Sequence, residues 1–293
     1  MNLSGSICAL ATPFGSDGTL DLDAFARLIE RQIAGGTQAV VIAGSTGEAH
    51  ALTDGEFEEL VSFGVRRIAG RIPVLVGTGG ANTAKTIAVT RQAKDLGADA
   101  ALVVTPYYVR PTQDGLCAHY VEVADAGLPV VLYNVPGRTG CDLLPVTVAR
   151  LAAHPNVVGI KEAVADAQRI EDLLALRSDT FRVLSGDDST ALRSLFAGAD
   201  GVISVANNLV PVPFRALCDA ARGGRRDAAA ALDAQLQPLF DALGVESNPI
   251  PLKWGLALQG IGSSRPRLPL TELSPNHQDR LRDLLMNLQD AAA

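Results

Sequence analysis

Eight short apolar runs rich in Val, Ile and Ala recur along this chain of 293 residues, and they constrain its fold more than any other feature. They begin near Ser6 (SICALAT), Ala39 (AVVIAG), Pro73 (PVLVG), Ala100 (ALVVT), Pro129 (PVVLYN), Val157 (VVGIK), Arg182 (RVLSG) and Asp200 (DGVISV). By subtraction the starts lie 33, 34, 27, 29, 28, 25 and 18 residues apart. Their near-continuous apolar character predicts strands buried on both faces, as in a parallel sheet. Helical spacing fills several of the intervals, at 21–34, 54–69, 83–96, 115–126 and 189–197. Thr53 with Glu56 three residues on reads as a capping box opening the second helix. The repeats predict a (β/α)8 TIM barrel; a doubly wound sheet would need fewer strands and a Gly-rich phosphate turn after the first. After the eighth run, 211–222, 227–243, 249–259 and 275–288 read as helices with no strand between them. A C-terminal helical appendage is therefore expected, with Gly223 and Gly224 as the seam, giving a barrel at 1–224 and a helical domain at 225–293.

Composition removes several classes of function. Hydrophobic residues make up 47 % and charged ones 19 %, enough for a sizeable core and too apolar for disorder. Lys+Arg 25 against Asp+Glu 32 leaves a net charge of −7, which argues against a nucleic-acid or anionic-membrane surface. No uncharged apolar stretch is long enough to span a bilayer, and MNLSGSICAL has no signal-peptide pattern, so a cytoplasmic protein is expected. Cys8, Cys117, Cys141 and Cys218 form no C-x-x-C pair, and His50, His119, His154 and His277 form no H-E-x-x-H. Reduced thiols are expected, with neither metal nor cofactor.

Only four of the 25 basic residues are lysine: Lys85, Lys94, Lys161 and Lys253. Arginine cannot lose its proton in a protein and so cannot serve as an amine nucleophile; lysine can. Barrel chemistry sits at the C-terminal strand ends. Read in order these carry Thr12, GSTGE at 44–48, GTG at 77–79, TPYY at 105–108, Tyr133-Asn134, Lys161-Glu162, SGDD at 185–188 and Ser204. Lys161 ends the apolar run VVGIK, where a charge is costly to keep, and a neutral amine beside a carbonyl is what Schiff-base formation requires. The same position also suits a lysine that reaches solvent or pairs with Glu162. Tyr133 and Tyr108 carry phenols able to move protons, though either could equally pack at the rim. Ser45 and Thr46 lie in a glycine-flanked turn whose N–H groups could cradle a carboxylate or phosphate. Arg138, in NVPGRTG after the fifth run, could grip a carboxylate with both guanidinium nitrogens or simply lie at the surface.

GSTGE at 44–48, VTPYY at 104–108, YNVPGRTG at 133–140, GIKEA at 159–163, LSGDD at 184–188 and ESNPIPLKW at 246–254 resemble the dihydrodipicolinate synthase family. The likeness covers essentially the whole chain, and YNVPGRTG and NPIPLKW are its narrower motifs. It implies condensation of pyruvate with L-aspartate 4-semialdehyde, the entry step of diaminopimelate and lysine biosynthesis. On this resemblance Lys161 forms the Schiff base and Tyr133 is the acid/base. Ser45 stands at the relay hydroxyl, where the family commonly has threonine. Tyr108 would complete the neighbouring subunit's relay, Thr46 would bind the pyruvate carboxylate, Arg138 the semialdehyde's carboxylate, and Ile203 would offer a main-chain carbonyl. A homo-oligomer is implied, a homotetramer built from tight dimers. The alternatives are another pyruvate aldolase or lyase, a phosphate-binding barrel isomerase, for which LSGDDS makes a poor phosphate cup, and a non-catalytic barrel. Many family members are also inhibited by L-lysine. The alignment puts Ala49, His50, Asp54, Phe57, Ala81 and Lys85 on that pocket, with Tyr107 on its wall. Lysine-sensitive members usually have glutamate where Lys85 stands and asparagine where Ala81 stands.

Overall fold

The computed structural model describes residues 3–290. β1 (Gly5–Ala9), β2 (Ala39–Ile42), β3 (Val74–Gly77), β4 (Ala100–Val104), β5 (Val130–Asn134), β6 (Val157–Glu162), β7 (Arg182–Ser185) and β8 (Gly201–Ser204) pair in parallel in chain order. β8 returns to β1, so the barrel is closed. α1 (Leu22–Ala34), α2 (Asp54–Ile68), α3 (Thr83–Asp95) and α4 (Gln113–Ala124) follow the first four strands. β5 leads into α5 (Pro136–Thr139) and α6 (Pro145–Leu151), β6 into α7 (Ala167–Leu174), β7 into α8 (Ala191–Ala197) and β8 into α9 (Pro211–Arg222). The chain ends with α10 (Arg226–Leu243), α11 (Ile250–Leu258) and α12 (Pro275–Asp290). Among the described residues no helix is long and apolar enough to cross a membrane.

The barrel and the C-terminal helices stand as the sequence predicts, while the fifth and sixth crossovers hold helices that the apolar spacing did not reveal. α6 and α7 have seven and eight residues, about two turns each, shorter than the window in which a 3.6-residue period can be read. α7 starts where the Asp166 carboxylate accepts from the Arg169 N–H at 2.8 Å, and it buries Ile170 and Leu173. α4 begins two residues before the expected Gly115, because Thr112 accepts from the Gly115 N–H and caps the first turn.

Alternation along each strand, masked in the sequence by apolar residues on both faces, sorts the core into two layers. Ile7, Ala9, Val41, Leu75, Leu102, Val131 and Leu184 point into the barrel with Tyr133 and Ile203. Cys8, Val40, Ile42, Val76, Val103 and Leu132 point outward against the helices. That outer layer runs on without a break into Leu236, Leu239 and Phe240 of α10 and Leu252 and Leu256 of α11. α10 packs on α8 and α9, and α12 on α10 and α11.

The capping box of α2 is formed: Glu56 N–H donates to Thr53 Oγ1 at 3.3 Å, and Thr53 N–H donates to Glu56 Oε2 at 2.9 Å. The same carboxylate receives Arg267 through Nη1 at 2.7 Å and Nη2 at 2.5 Å, joining the far C-terminal segment to the barrel. Arg267 also donates to the carbonyls of Gly18 and Ala51 and lies 4.2 Å from the centre of the Phe14 ring. Its guanidinium holds the Glu56 carboxyl down to about 2. A carboxyl depressed on folding contributes stability above its unfolded value near 4.5 and loses it as pH falls toward 2. Arg267→Met should therefore cost about 1–3 kcal/mol at pH 7 and less at pH 3. Urea unfolding at the two pH values checks this; an equal loss at both would remove the ion pair from the account.

Candidate active site

Tyr133 on β5 and Lys161 on β6 are register partners, and both fall on the inward phase of their strands. Lys161 is 4 % exposed and Tyr133 is 7 % exposed, and Lys161 Nζ lies 4.3 Å from the centre of the Tyr133 ring. Glu162, one residue on, points the other way. Both of its oxygens accept from Asn134 Nδ2 at 3.1 Å, and it also receives the Val164 N–H at 2.8 Å and Arg169 Nε at 3.1 Å. Burial pushes the Glu162 carboxyl up, opposed by these donors and by the Arg169 charge. Arg169 also pairs with Asp142, so the carboxylate beside Lys161 is taken up by a cation on the outer face. Neither a pairing with Glu162 nor an escape to solvent describes Lys161. Its stem is pressed against Gly186: a Cβ there would stand 2.9 Å from both Cγ and Cε of Lys161.

Ser45 and Thr46 follow β2 in a turn bracketed by two non-glycine residues in the left-handed region, Ala43 at φ 52° and Glu48 at φ 53°. Such conformations cost on the order of 1 kcal/mol or more each and persist only where the surroundings hold them. Glu48 is held firmly. It is fully buried, its Oε1 is 2.6 Å from Lys253 Nζ, and its Oε2 accepts from the Arg267 N–H at 2.7 Å. Lys253 Nζ also donates to the Thr12 carbonyl at 3.2 Å and lies 4.0 Å from the centre of the Phe14 ring. Burial lowers the Lys253 ammonium from its ordinary value, and the attraction of Glu48 opposes that shift. Thr12 Oγ1 closes the other side by donating to the Gly47 carbonyl at 2.6 Å. Thr46 is buried, and its hydroxyl accepts from Asn248 Nδ2 at 2.9 Å.

Arg138 sits on α5, a single turn that opens on Pro136 and stops at Gly140, whose φ of 68° suits glycine. The guanidinium is exposed, and Nη2 donates to the Asn248 carbonyl at 2.6 Å. Tyr108 adopts a left-handed φ of 73°, its N–H donates to the Thr139 carbonyl at 3.1 Å, and its side chain is 90 % exposed.

A cavity of about 620 Å³ brings Ser45, Thr46, Tyr133, Arg138 and Lys161 together. It continues past Tyr107 to His50, Asp54, Phe57, Ala81 and Lys85. Tyr108 lies outside its lining, and the Ile203 side chain packs within the barrel interior beside Tyr133. Among the described residues no three His, Cys, Asp or Glu side chains gather to hold a metal. Of the other lysines, Lys253 is a buried structural cation.

Asn248 was not singled out from the sequence, and the roles of Lys253 and Asp188 were not read there. Asn248 and Lys253 both stand in the ESNPIPLKW segment; Lys253 was marked by the scarcity of lysine, and Asn248 only by the segment's narrow resemblance. Asp188 ends the LSGDD motif, and its Oδ2 accepts from the N–H groups of Val205 and Ala206 at 3.0 and 2.8 Å. Those are the donors beyond β8 that a bound phosphate would need, so a carboxylate of the chain itself already occupies them.

A parallel barrel with one buried, unpaired lysine against a tyrosine at its C-terminal end defines a lyase of the Schiff-base-forming class. The chain belongs to the dihydrodipicolinate synthetase family, whose model matches residues 2–288. It is 61 % identical over 285 residues to a 4-hydroxy-tetrahydrodipicolinate synthase of Xanthomonas axonopodis pv. citri, covering 96 % of this chain and 94 % of that protein. The dihydrodipicolinate synthase of Thermotoga maritima superposes with a TM-score of 0.96 at 41 % identity, over 99 % of both chains. The enzyme from Acinetobacter baumannii, solved in complex with pyruvate, does so at 0.95 with 43 % identity, over 98 % of this chain and 99 % of that one.

Proposed function

We propose that this chain is a 4-hydroxy-tetrahydrodipicolinate synthase that condenses pyruvate with L-aspartate 4-semialdehyde. The observation that carries the reading is the uncompensated Lys161 amine beside Tyr133 on the wall of a cavity that also holds Thr46 and Arg138. The Lys161 amine attacks the pyruvate carbonyl carbon, and the carbinolamine loses water to give the imine. Tyr133 passes the protons, with Ser45 and a neighbouring copy's Tyr108 completing the relay. The protonated imine makes the methyl group acidic, and a methyl proton is lost to give the enamine. The enamine carbon attacks the aldehyde carbon while the aldehyde oxygen takes up a proton. The semialdehyde's amino group then attacks the imine carbon, closing the ring and expelling the Lys161 amine. Thr46 holds the pyruvate carboxylate, Arg138 receives the semialdehyde's carboxylate, and Ile203, which is not among the cavity's lining residues, offers its main-chain carbonyl from β8. Ser45 keeps the hydroxyl and lacks the methyl of the usual threonine.

The same reading makes the protein a cytoplasmic homo-oligomer, a tetramer of tight dimers. Support comes from the loop at Tyr107, Tyr108 and Val109, which exposes three large apolar side chains in succession, one of them in a strained conformation. The division into a catalytic barrel at 1–224 and a helical domain at 225–293, of which 1–2 and 291–293 lie outside the described residues, is supported by the absence of strands after β8 among the described residues.

Sodium borohydride with pyruvate should leave a pyruvate-derived adduct on Lys161, read by peptide mass spectrometry. An adduct on Lys85, Lys94 or Lys253, or none at all, defeats the mechanism. Arg138→Ala should cost about 2–4 kcal/mol in kcat/KM for the semialdehyde while leaving trapping of pyruvate close to wild type. A loss of less than about threefold would remove Arg138 from the second-substrate site.

Regulation should depart from that of lysine-sensitive relatives. Lys85 lines the outer end of the cavity with Asp54, where those relatives carry glutamate. Exchanging attraction for repulsion shifts a charge pair at about 4 Å by roughly 1 kcal/mol each way even in water, more than tenfold in affinity. Half-maximal inhibition by L-lysine is expected above about 1 mM, and steady-state inhibition kinetics decide it.

A further inference from the structure

Asn248 reaches the site from the C-terminal segment and touches two of its groups with different atoms. Its side-chain Nδ2 donates to Thr46 Oγ1 at 2.9 Å, across 202 residues of chain. Its main-chain carbonyl accepts from Arg138 Nη2 at 2.6 Å. The Thr46 hydroxyl has one hydrogen to give and two lone pairs, whereas a carboxamide nitrogen can only donate. The contact therefore uses a lone pair of Thr46 and leaves its hydrogen free. Thr46 is 2 % exposed and lines the cavity that also holds Lys161 and Tyr133. That hydrogen stays available to an acceptor in the cavity, such as an anion.

A second observation points the same way. Asn248 Oδ1 is buried and has no hydrogen-bond partner among the described residues. An unpaired buried acceptor is a standing cost to the fold. Of the carboxamide, then, the Nδ2 group is the engaged end, and its partner is Thr46.

We propose that Asn248 is a positioning residue that fixes the Thr46 hydroxyl as a donor to the pyruvate carboxylate and anchors Arg138 through its own carbonyl. The assignment rests on the function proposed above. It makes the carboxylate site depend on a residue outside the barrel: the C-terminal segment sets the hydrogen-bond polarity of a group on the β2 turn. Arg138 on the rim is tied to the same residue, so the places for the two substrates' carboxylates share one anchor.

The test is borohydride trapping as a function of pyruvate concentration, followed by steady-state kinetics, on the full-length chain. In N248D the carboxylate can only accept, so it turns the Thr46 hydrogen away from the cavity and adds a negative charge. The pyruvate concentration for half-maximal trapping should rise about tenfold or more. In N248A, which removes the donor without adding charge, it should rise about threefold to fivefold. In both variants kcat/KM for pyruvate should fall by about the factor by which half-maximal trapping rises. A merely structural role would not couple to one hydroxyl, so N248A is repeated in a Thr46→Val background. There it should change half-maximal trapping by less than about 1.5-fold. Should N248A fail to fold, N248S takes its place with the same expectation, thermal unfolding being recorded for every variant. Half-maximal trapping in N248D within about twofold of wild type, or effects of N248A and T46V that simply multiply, overturns the assignment. A wild-type chain that traps no pyruvate overturns the proposed function beneath it, while normal wild-type trapping beside an unaffected N248D overturns this assignment alone.

Discussion

Where the barrel meets its C-terminal helices, a lysine and a glutamate have been taken out of water together. The Lys253–Glu48 pair at 2.6 Å has almost no exposed surface on either side. Removing two charges from water is expensive, and a buried pair seldom repays that cost against well-packed apolar residues. Its worth here lies in geometry. Glu48 ends the turn that carries Ser45 and Thr46, and it stands in a left-handed conformation that a glutamate does not hold unaided. The pair with Lys253, together with the Arg267 N–H on the second oxygen, keeps it there. Breaking either partner would leave an uncompensated buried charge and release the turn.

The outer face of β5 and β6 does a similar service for the nucleophile. Strand alternation forces the neighbours of Tyr133 and Lys161 outward, so Asn134 and Glu162 meet behind the barrel wall. There Arg169 and Asp142 complete a polar cluster in which each buried group has a partner. The result is chemical separation across one strand. The outward carboxylate is neutralised by its own arginine, and the inward amine is left with a phenol ring and a cavity. The alternation of the strand keeps the Lys161 side chain and the Glu162 carboxylate on opposite faces of the barrel wall.

Much of this could be read along the chain. Eight apolar runs at regular intervals left few folds available, and the strand-end rule turned the list of polar residues into a ring. Lys161 emerged from the scarcity of lysine and its place at the end of VVGIK, and Tyr133 from the neighbouring strand end. The short helices α6 and α7 were hidden, because two turns carry too little periodicity. What Asn248, Lys253 and Asp188 do was hidden for a different reason. Each acts through a partner more than ten residues away, at Thr46, Glu48 and the Val205–Ala206 backbone, and nothing local marks such a contact.

What the sequence determined by itself was the barrel, its order and the candidate nucleophile, because these rest on short-range patterning: apolar periodicity, turn residues and the phase of a strand. Tertiary structure decided which lysine is chemically free. Lys161 and Lys253 are both buried, and the sequence sets a glutamate directly beside Lys161. Closure of the barrel sends Glu162 outward to Arg169, while the packing of α11 onto the β2 turn presses Lys253 against Glu48. Partner choice across such distances is set by the burial of entire faces and not by the neighbours in the chain, so only the folded molecule could assign one lysine to structure and leave the other for chemistry.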